Sequence, residues 1–246
     1  MNRNSLNIVL TTIGLCVLAG YLTWSVFMLR DTRDDQPCNN VRVYVADSAS
    51  RHFIMPNEII SMLRQNDLYP NGVVIRDLDA MAIEELIGSH NLLRSAECYT
   101  TPAGDMVLAL RQKEPKFRVM GVNGDYFVDT ERTPMKVTSR TASYVPVVTG
   151  TLTQELATTE IYDFVDFIEH DSFWKNQIEQ IIVVGNRTVK LIPRIGSHTI
   201  ILGTLERYEQ KLEKLETLYT KGFNEKLGWK NYKEIDLRYD GQIVCR

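Results

Sequence analysis

The segment that most limits what this chain can become is 8–29, where 22 consecutive residues carry no charge. As a helix rising about 1.5 Å per residue it spans about 33 Å, enough to cross a hydrocarbon core of about 30 Å with some tilt. Tyr21 and Trp24 lie toward its far end, where amphipathic rings favour the membrane interface. A cleaved signal sequence is the rival reading, but its apolar stretch usually runs about 7–15 residues and ends at a small-x-small site. This one is longer and ends in Phe27-Met28-Leu29. A buried core helix would carry a polar face, and none is marked. The segment therefore predicts an uncleaved anchor. Arg3 on one side nearly balances Arg30 and Arg33 on the other under the positive-inside rule. Orientation then follows from bulk: the head 1–7 is expected in the cytoplasm and the long tail 30–246 outside it.

Charge and cysteine use exclude several classes. Lys and Arg number 28 against 31 Asp and Glu, a net charge of −3, and no basic run supplies the stripe that nucleic acid needs. An apolar fraction of 44% excludes wholesale disorder. Cys16 lies in the apolar segment, while Cys38, Cys98 and Cys245 lie beyond it without a Cys-x-x-Cys spacing. Unpaired thiols and a disulfide involving Cys38 or Cys245 both remain open.

Beyond a linker at 30–40, residues 41–113 read as β-α-α-β-β. Residues 41–46 alternate with β-branched side chains and read as a strand. Pro56 opens a helix with Ile59, Ile60 and Leu63 on one face, since a first-turn N–H is unpaired anyway. Asp79 is the expected N-cap of a second helix that turns Met81, Ile83, Leu86 and Ile87 inward and ends at Gly88. Strands at 92–99 and 106–112 follow, joined by a turn rich in Pro, Gly and Asp.

Residues 114–246 read as a second, β-rich unit. Short strands are expected at 117–120, 126–128, 145–148, 181–184, 189–192 and 199–202, with a hairpin across Gly185-Asn186-Arg187-Thr188. Two helices interrupt them. One, at 154–169, places Ile161, Phe164, Val165 and Ile168 on one face. The other, at 204–221, places Leu205, Tyr208, Leu212, Leu215 and Tyr219 in 3-4 spacing, with Gly222 as its cap. The fold class is α+β: an N-terminal transmembrane helix, then a smaller and a larger mixed domain.

Catalytic groups do not converge in the sequence. His52, His90, His170 and His198 are scattered, and none stands in a metal-binding spacing. Glu169-His170-Asp171 are adjacent on a helix and so point about 100° apart, which makes them a solvated helix end. Asp163, Asp166 and Glu169 read as the wet side of that helix. Nucleophile elbows and glycine-rich phosphate loops are missing, so no catalytic, metal or cofactor residue is assigned and a binding module on a membrane stalk remains.

The order of these parts resembles the bacterial division family FtsQ/DivIB, bitopic proteins with a POTRA domain followed by a β domain. Arg111-Gln112-Lys113-Glu114-Pro115, entering Phe117-Arg118-Val119, is similar to the family's crossing between domains. Asp125-Tyr126-Phe127-Val128-Asp129 and Pro134-Met135 resemble its first β-domain hairpin, although Thr130-Glu131-Arg132 stands where the turn usually has Gly. Val145-Pro146-Val147-Val148-Thr149-Gly150, and Gly228-Trp229 through Ile235-Asp236-Leu237-Arg238-Tyr239-Asp240-Gly241, resemble later segments.

The resemblance implies a non-enzymatic, cofactor-free scaffold in the inner membrane that binds FtsB and FtsL through its extracytoplasmic β domain. It places the partner site at Arg238, Tyr239, Asp240, Gly241 and Ile243. Ile235, Leu237 and Tyr239 alternate with Asp236 and Arg238, as expected of a terminal edge strand with one buried face and free backbone groups for another chain. Two alternatives come from other classes. A POTRA-bearing translocation component would put about 10-residue alternating barrel strands after the first domain. A membrane-tethered cell-wall hydrolase would need carboxylates facing each other across a cleft.

Overall fold

The computed structural model describes residues 3–28, 35–46, 53–137, 144–185, 187–227 and 232–246, with side chains of the first helix described over 13–25 and those of 224–227 left out. Helix α1 covers Arg3–Met28. Its described apolar side chains, among them Leu15, Leu18, Tyr21, Leu22 and Trp24, are all exposed. They span about 20 Å, and among the described residues no helix is long and apolar enough to cross a membrane.

A three-stranded sheet follows, formed by β1 (Asn40–Val45), β2 (Leu93–Thr100) and β3 (Asp105–Gln112). Its order is β1-β3-β2, with β1 parallel and β2 antiparallel to β3. A parallel pair requires a crossover, and helices α2 (Pro56–Gln65) and α3 (Ala80–Gly88) provide it. Glu58 reaches back to the Met55 N–H at 3.1 Å, and the Asp79 carboxylate accepts from the Ala82 N–H at 2.9 Å, so both helix starts are capped. Ile59, Leu63, Ile83 and Ile87 are buried against the sheet. Met81 departs from expectation: it is 77% exposed, because the first turn of a nine-residue helix offers the sheet only the Ile83–Ile87 ridge. Cysteines 16, 38, 98 and 245 are free thiols, and burial, with Glu84 and Cys38 nearby, pushes the Cys98 thiol up to about 11.

The second sheet has nine strands: β4 (Pro115–Gly121), β5 (Gly124–Asp129), β6 (Pro134–Lys136), β7 (Val147–Gly150), β8 (Ile178–Val184), β9 (Thr188–Pro193), β10 (Thr199–Gly203), β11 (Glu234–Asp236) and β12 (Val244–Cys245). Their order is β12-β11-β10-β9-β8-β7-β4-β5-β6. The parallel pair β7–β8 is spanned by α4 (Gln154–Thr158), α5 (Glu160–His170) and α6 (Trp174–Gln177). The parallel pair β10–β11 is spanned by α7 (Tyr208–Thr217) and a wider π-helical coil over Leu218–Leu227. Ile161, Phe164, Val165 and Ile168 join Trp174, Leu212, Leu215 and Tyr219 in one core against the sheet.

Three local expectations are corrected. The helix expected over 154–169 breaks at Thr159 (φ −114°, ψ −99°), where Thr158 and Thr159 hydroxyls bond back to the Gln154 and Glu155 carbonyls and compete with the helical ladder. The next helix begins at Tyr208, because Arg207 takes a left-handed φ of 53°. Gly222 lies inside the π-helical coil rather than capping it; that coil keeps both Tyr219 and Phe223 buried. At the hairpin turn without Gly, Arg132 itself adopts a φ of 62°. Its guanidinium is held 4.2 Å over the Tyr162 ring and 2.6 Å from Asp163, contacts that offset the backbone strain.

Candidate functional site

Strand β11 holds only three residues, and it is internal: β10 pairs with one side and β12 with the other. The edge strand expected over 235–241 is therefore corrected, since the edge of the sheet is β12. Two features fold the chain back. The Asp236 carboxylate is buried and accepts from the Arg238 backbone N–H at 3.1 Å, from Nε at 2.9 Å and from Nη2 at 2.7 Å, which ends β11. Gly241 then takes a φ of 79°, a conformation that glycine adopts without steric cost. Asp236 thus lies on the face opposite Ile235 and Leu237, covered by Arg238 rather than open to solvent, and the Arg238 fork holds its carboxyl below the ordinary range. Tyr239 lies outside the strand and is 44% exposed.

The predicted residues nonetheless sit together. Arg238, Tyr239, Asp240 and Gly241 form the turn into β12, and Ile243 packs on the core beside Cys245. The Arg238 stem lies over Gly203, where a Cβ would meet its Cγ at 2.8 Å. Asp240 accepts from Arg207 Nη2 at 2.8 and 3.1 Å, which joins the turn to the start of α7. Between them is a groove of about 190 Å³ lined by Arg207, Lys211, Lys214, Leu237, Tyr239 and Ile243, among others. Lys211 donates to the Leu202 and Thr204 carbonyls at 3.2 and 2.8 Å; burial, with Arg207 beside it, lowers its affinity for a proton. The groove is therefore basic, with Asp240 as its carboxylate.

The backbone of β12 defines what this edge can do. The Arg246 N–H donates to the Glu234 carbonyl at 2.9 Å and the Glu234 N–H returns to Arg246 at 3.1 Å. In an antiparallel ladder such exchanging pairs alternate with pairs whose N–H and C=O point away. With Ile235 opposite Cys245, the outward groups belong to Cys245, and Ile243, two residues earlier, lies just beyond the ladder. Among the described residues no strand lies beyond β12. The arrangement offers an extended peptide backbone bonds along β12 and a cationic groove beside it.

Sequence reasoning missed Val244, Cys245, Arg207 and Lys211. The basic face was legible as Arg207, Lys211 and Lys214 at i, i+4 and i+7, whereas a two-residue strand leaves no periodic signal.

An aromatic cluster supports this end of the sheet. His198 enters β10, and its Nε2 lies 2.6 Å from the Tyr219 hydroxyl, with Phe223 and Trp174 packed around that pair. Burial holds the His198 imidazole below its ordinary pKa, and His90 is shifted the same way by burial. A histidine depressed on folding contributes full stability above its unfolded pKa of about 6.5 and loses it as pH falls toward the folded pKa. Stability, read as the urea midpoint, is expected to fall between pH 7.5 and 5 at up to about 1.4 kcal/mol per pH unit for His198. His198→Gln is expected to flatten that slope, and an unchanged slope would contradict the assignment.

Among the described residues, the acidic groups on and beside α5 are engaged by neighbouring side chains and backbone. Lys116 binds Asp166 and Glu169, each at 2.7 Å, Arg132 binds Asp163, and Asp171 caps α6 through the Phe173 and Trp174 N–H groups. The acidic face of α5 is thus paired rather than simply solvated. Among the described residues no group of His, Cys, Asp and Glu could hold a metal ion. A larger cavity of about 380 Å³ between α5, β7 and β8 has core residues such as Val165 and Ile181 for its floor and contains none of the predicted site residues.

Residues 114–246 match the family model described as FtsQ/DivIB, C-terminal related, and residues 36–111 match that of the POTRA-like domain. No curated protein matches the chain at a significant level.

Proposed function

The chain belongs to the FtsQ/DivIB, C-terminal related family, and from that premise we propose that it is a single-pass membrane scaffold of the bacterial divisome that holds FtsB- and FtsL-type proteins by strand addition at β12. The two matched regions mark a division-protein scaffold with a mixed α+β fold. In this reading residues 41–113 form the POTRA-like domain, 114–246 form the β domain, and the protein acts by binding alone.

The observation that carries the reading is the β12 edge, with the backbone groups of Cys245 aimed away from β11. A two-residue strand is weak by itself, and a guest strand would extend its ladder. Arg238 and Tyr239 at the adjoining turn are residue types that dominate binding energy at interfaces, and Arg207 and Lys211 favour an acidic side chain on the guest. For the anchor, the support is the uncharged run 8–29 together with a helix whose described apolar side chains are exposed rather than packed on either domain. Such a surface suits hydrocarbon. The N-terminus is then cytoplasmic and both domains are periplasmic.

The test is retention of a purified FtsB–FtsL pair by the full chain in detergent micelles, with deletion of 1–28 read by fractionation. Retention, and release of the shortened chain into the soluble fraction, are expected. A folded full chain that retains neither partner would contradict the binding assignment, and a shortened chain still embedded in membranes would contradict the anchor.

A further inference from the structure

Only Lys113 and Glu114 separate β3 from β4, yet the two sheets do not hang loosely from one another. Phe127 on β5 and Met135 on β6, each 1% exposed, are buried in the same cluster as Ile87, Leu92 and Leu93 of the first domain. Val128, the strand neighbour of Phe127, points the other way into the core of the nine-stranded sheet. The β5–β6 end of that sheet is therefore apolar on both faces, and the first domain covers the face opposite the helices.

Polar contacts ring this apolar patch. Arg94 pairs with Glu131 at 2.6 Å. Lys113 Nζ donates to the Thr133 hydroxyl at 2.8 Å and lies 3.5 Å from the buried Asp129 carboxylate. The Thr130 N–H donates to the Glu114 carbonyl at 2.9 Å. The Lys136 N–H on β6 donates at 2.6 Å to Asn91 Oδ1, so a side chain of the first domain takes a bond that an added strand would make.

We propose that the first domain is seated on the β5–β6 end of the second as a fixed unit, so that the two move as one rigid body and this edge of the sheet is closed to strand addition. Phe127 and Met135 set the joint, because separating the domains would expose both to water. The angle between the domains, and with it the position of β12 relative to the first domain, is then a property of packing and not of the two residues that join them.

Pulsed EPR on the full chain in detergent tests this, with spin labels on non-canonical residues replacing the exposed Tyr99 and Val184. A single narrow distance distribution is expected. Met135→Asp is expected to broaden it, as is Arg94→Glu, and Arg94→Glu combined with Glu131→Arg is expected to restore it. A broad distribution in the otherwise unsubstituted chain, or a narrow one that survives both Met135→Asp and Arg94→Glu, would overturn the proposal. Partner capture at β12 is read separately, so loss of the rigid joint leaves that reading standing.

Discussion

Cys245→Pro is expected to weaken strand capture at β12 strongly while both domains stay folded. Cys245 lies opposite Ile235 in a position whose N–H points away from β11, so proline removes no bond within the chain. It does remove a donor that a guest strand would use, and its ring occupies the guest's place. Leaving the guest's carbonyl without its donor costs about 1–3 kcal/mol, and the clash of the ring adds to that, so a loss of affinity of at least about 10-fold is expected. Cys245→Ala keeps the N–H and is expected to bind within a few-fold of the parent, which separates backbone pairing from side-chain contact. Affinities measured by calorimetry on the full chain decide the matter. If Cys245→Pro bound as tightly as Cys245→Ala, β12 would not be the docking edge.

Trp174→Ala is expected to carry the largest stability loss of any single side-chain truncation. The indole is 1% exposed, 4.9 Å from the Phe173 ring and 5.9 Å from Tyr219, and its backbone N–H is held by Asp171. Truncating such a residue leaves a cavity and costs about 3–5 kcal/mol, a large share of the 5–15 kcal/mol of a typical domain (about that range). The loss should appear as a lower denaturant midpoint at unchanged slope for the β-domain transition. A fall of less than about 1 kcal/mol would mean that the α6 crossover is not a fixed part of the core.

Much of the fold was legible because the local periods were clean. The alternation at 41–46 and the hairpin of β8 and β9 follow from period 2 and from turn residues, and Gly185 and Arg187 do take left-handed conformations there. Pro56 and Asp79 mark helix starts by capping chemistry that acts within one turn. The site was legible by residue but not by role. Alternation through Ile235–Tyr239 places every second side chain inward, yet local pattern cannot register that Arg238 folds back onto Asp236 and covers that carboxylate from solvent. Nor can it place β11 inside the sheet, because its parallel pairing with β10 spans the whole of α7. The joint had one sequence signal: Phe127 and Val128 are adjacent and both apolar, the mark of a strand covered on both faces.

Amide hydrogen exchange on the full chain, with and without its captured partner, tests the central claim most directly. Strand addition at β12 predicts that the Cys245 amide slows by at least about 100-fold on binding, while amides of β6 are unchanged, because a new ladder bond is opened only when the guest leaves. Slowing confined to other strands, with the Cys245 amide exchanging as it does in the free chain, would contradict it.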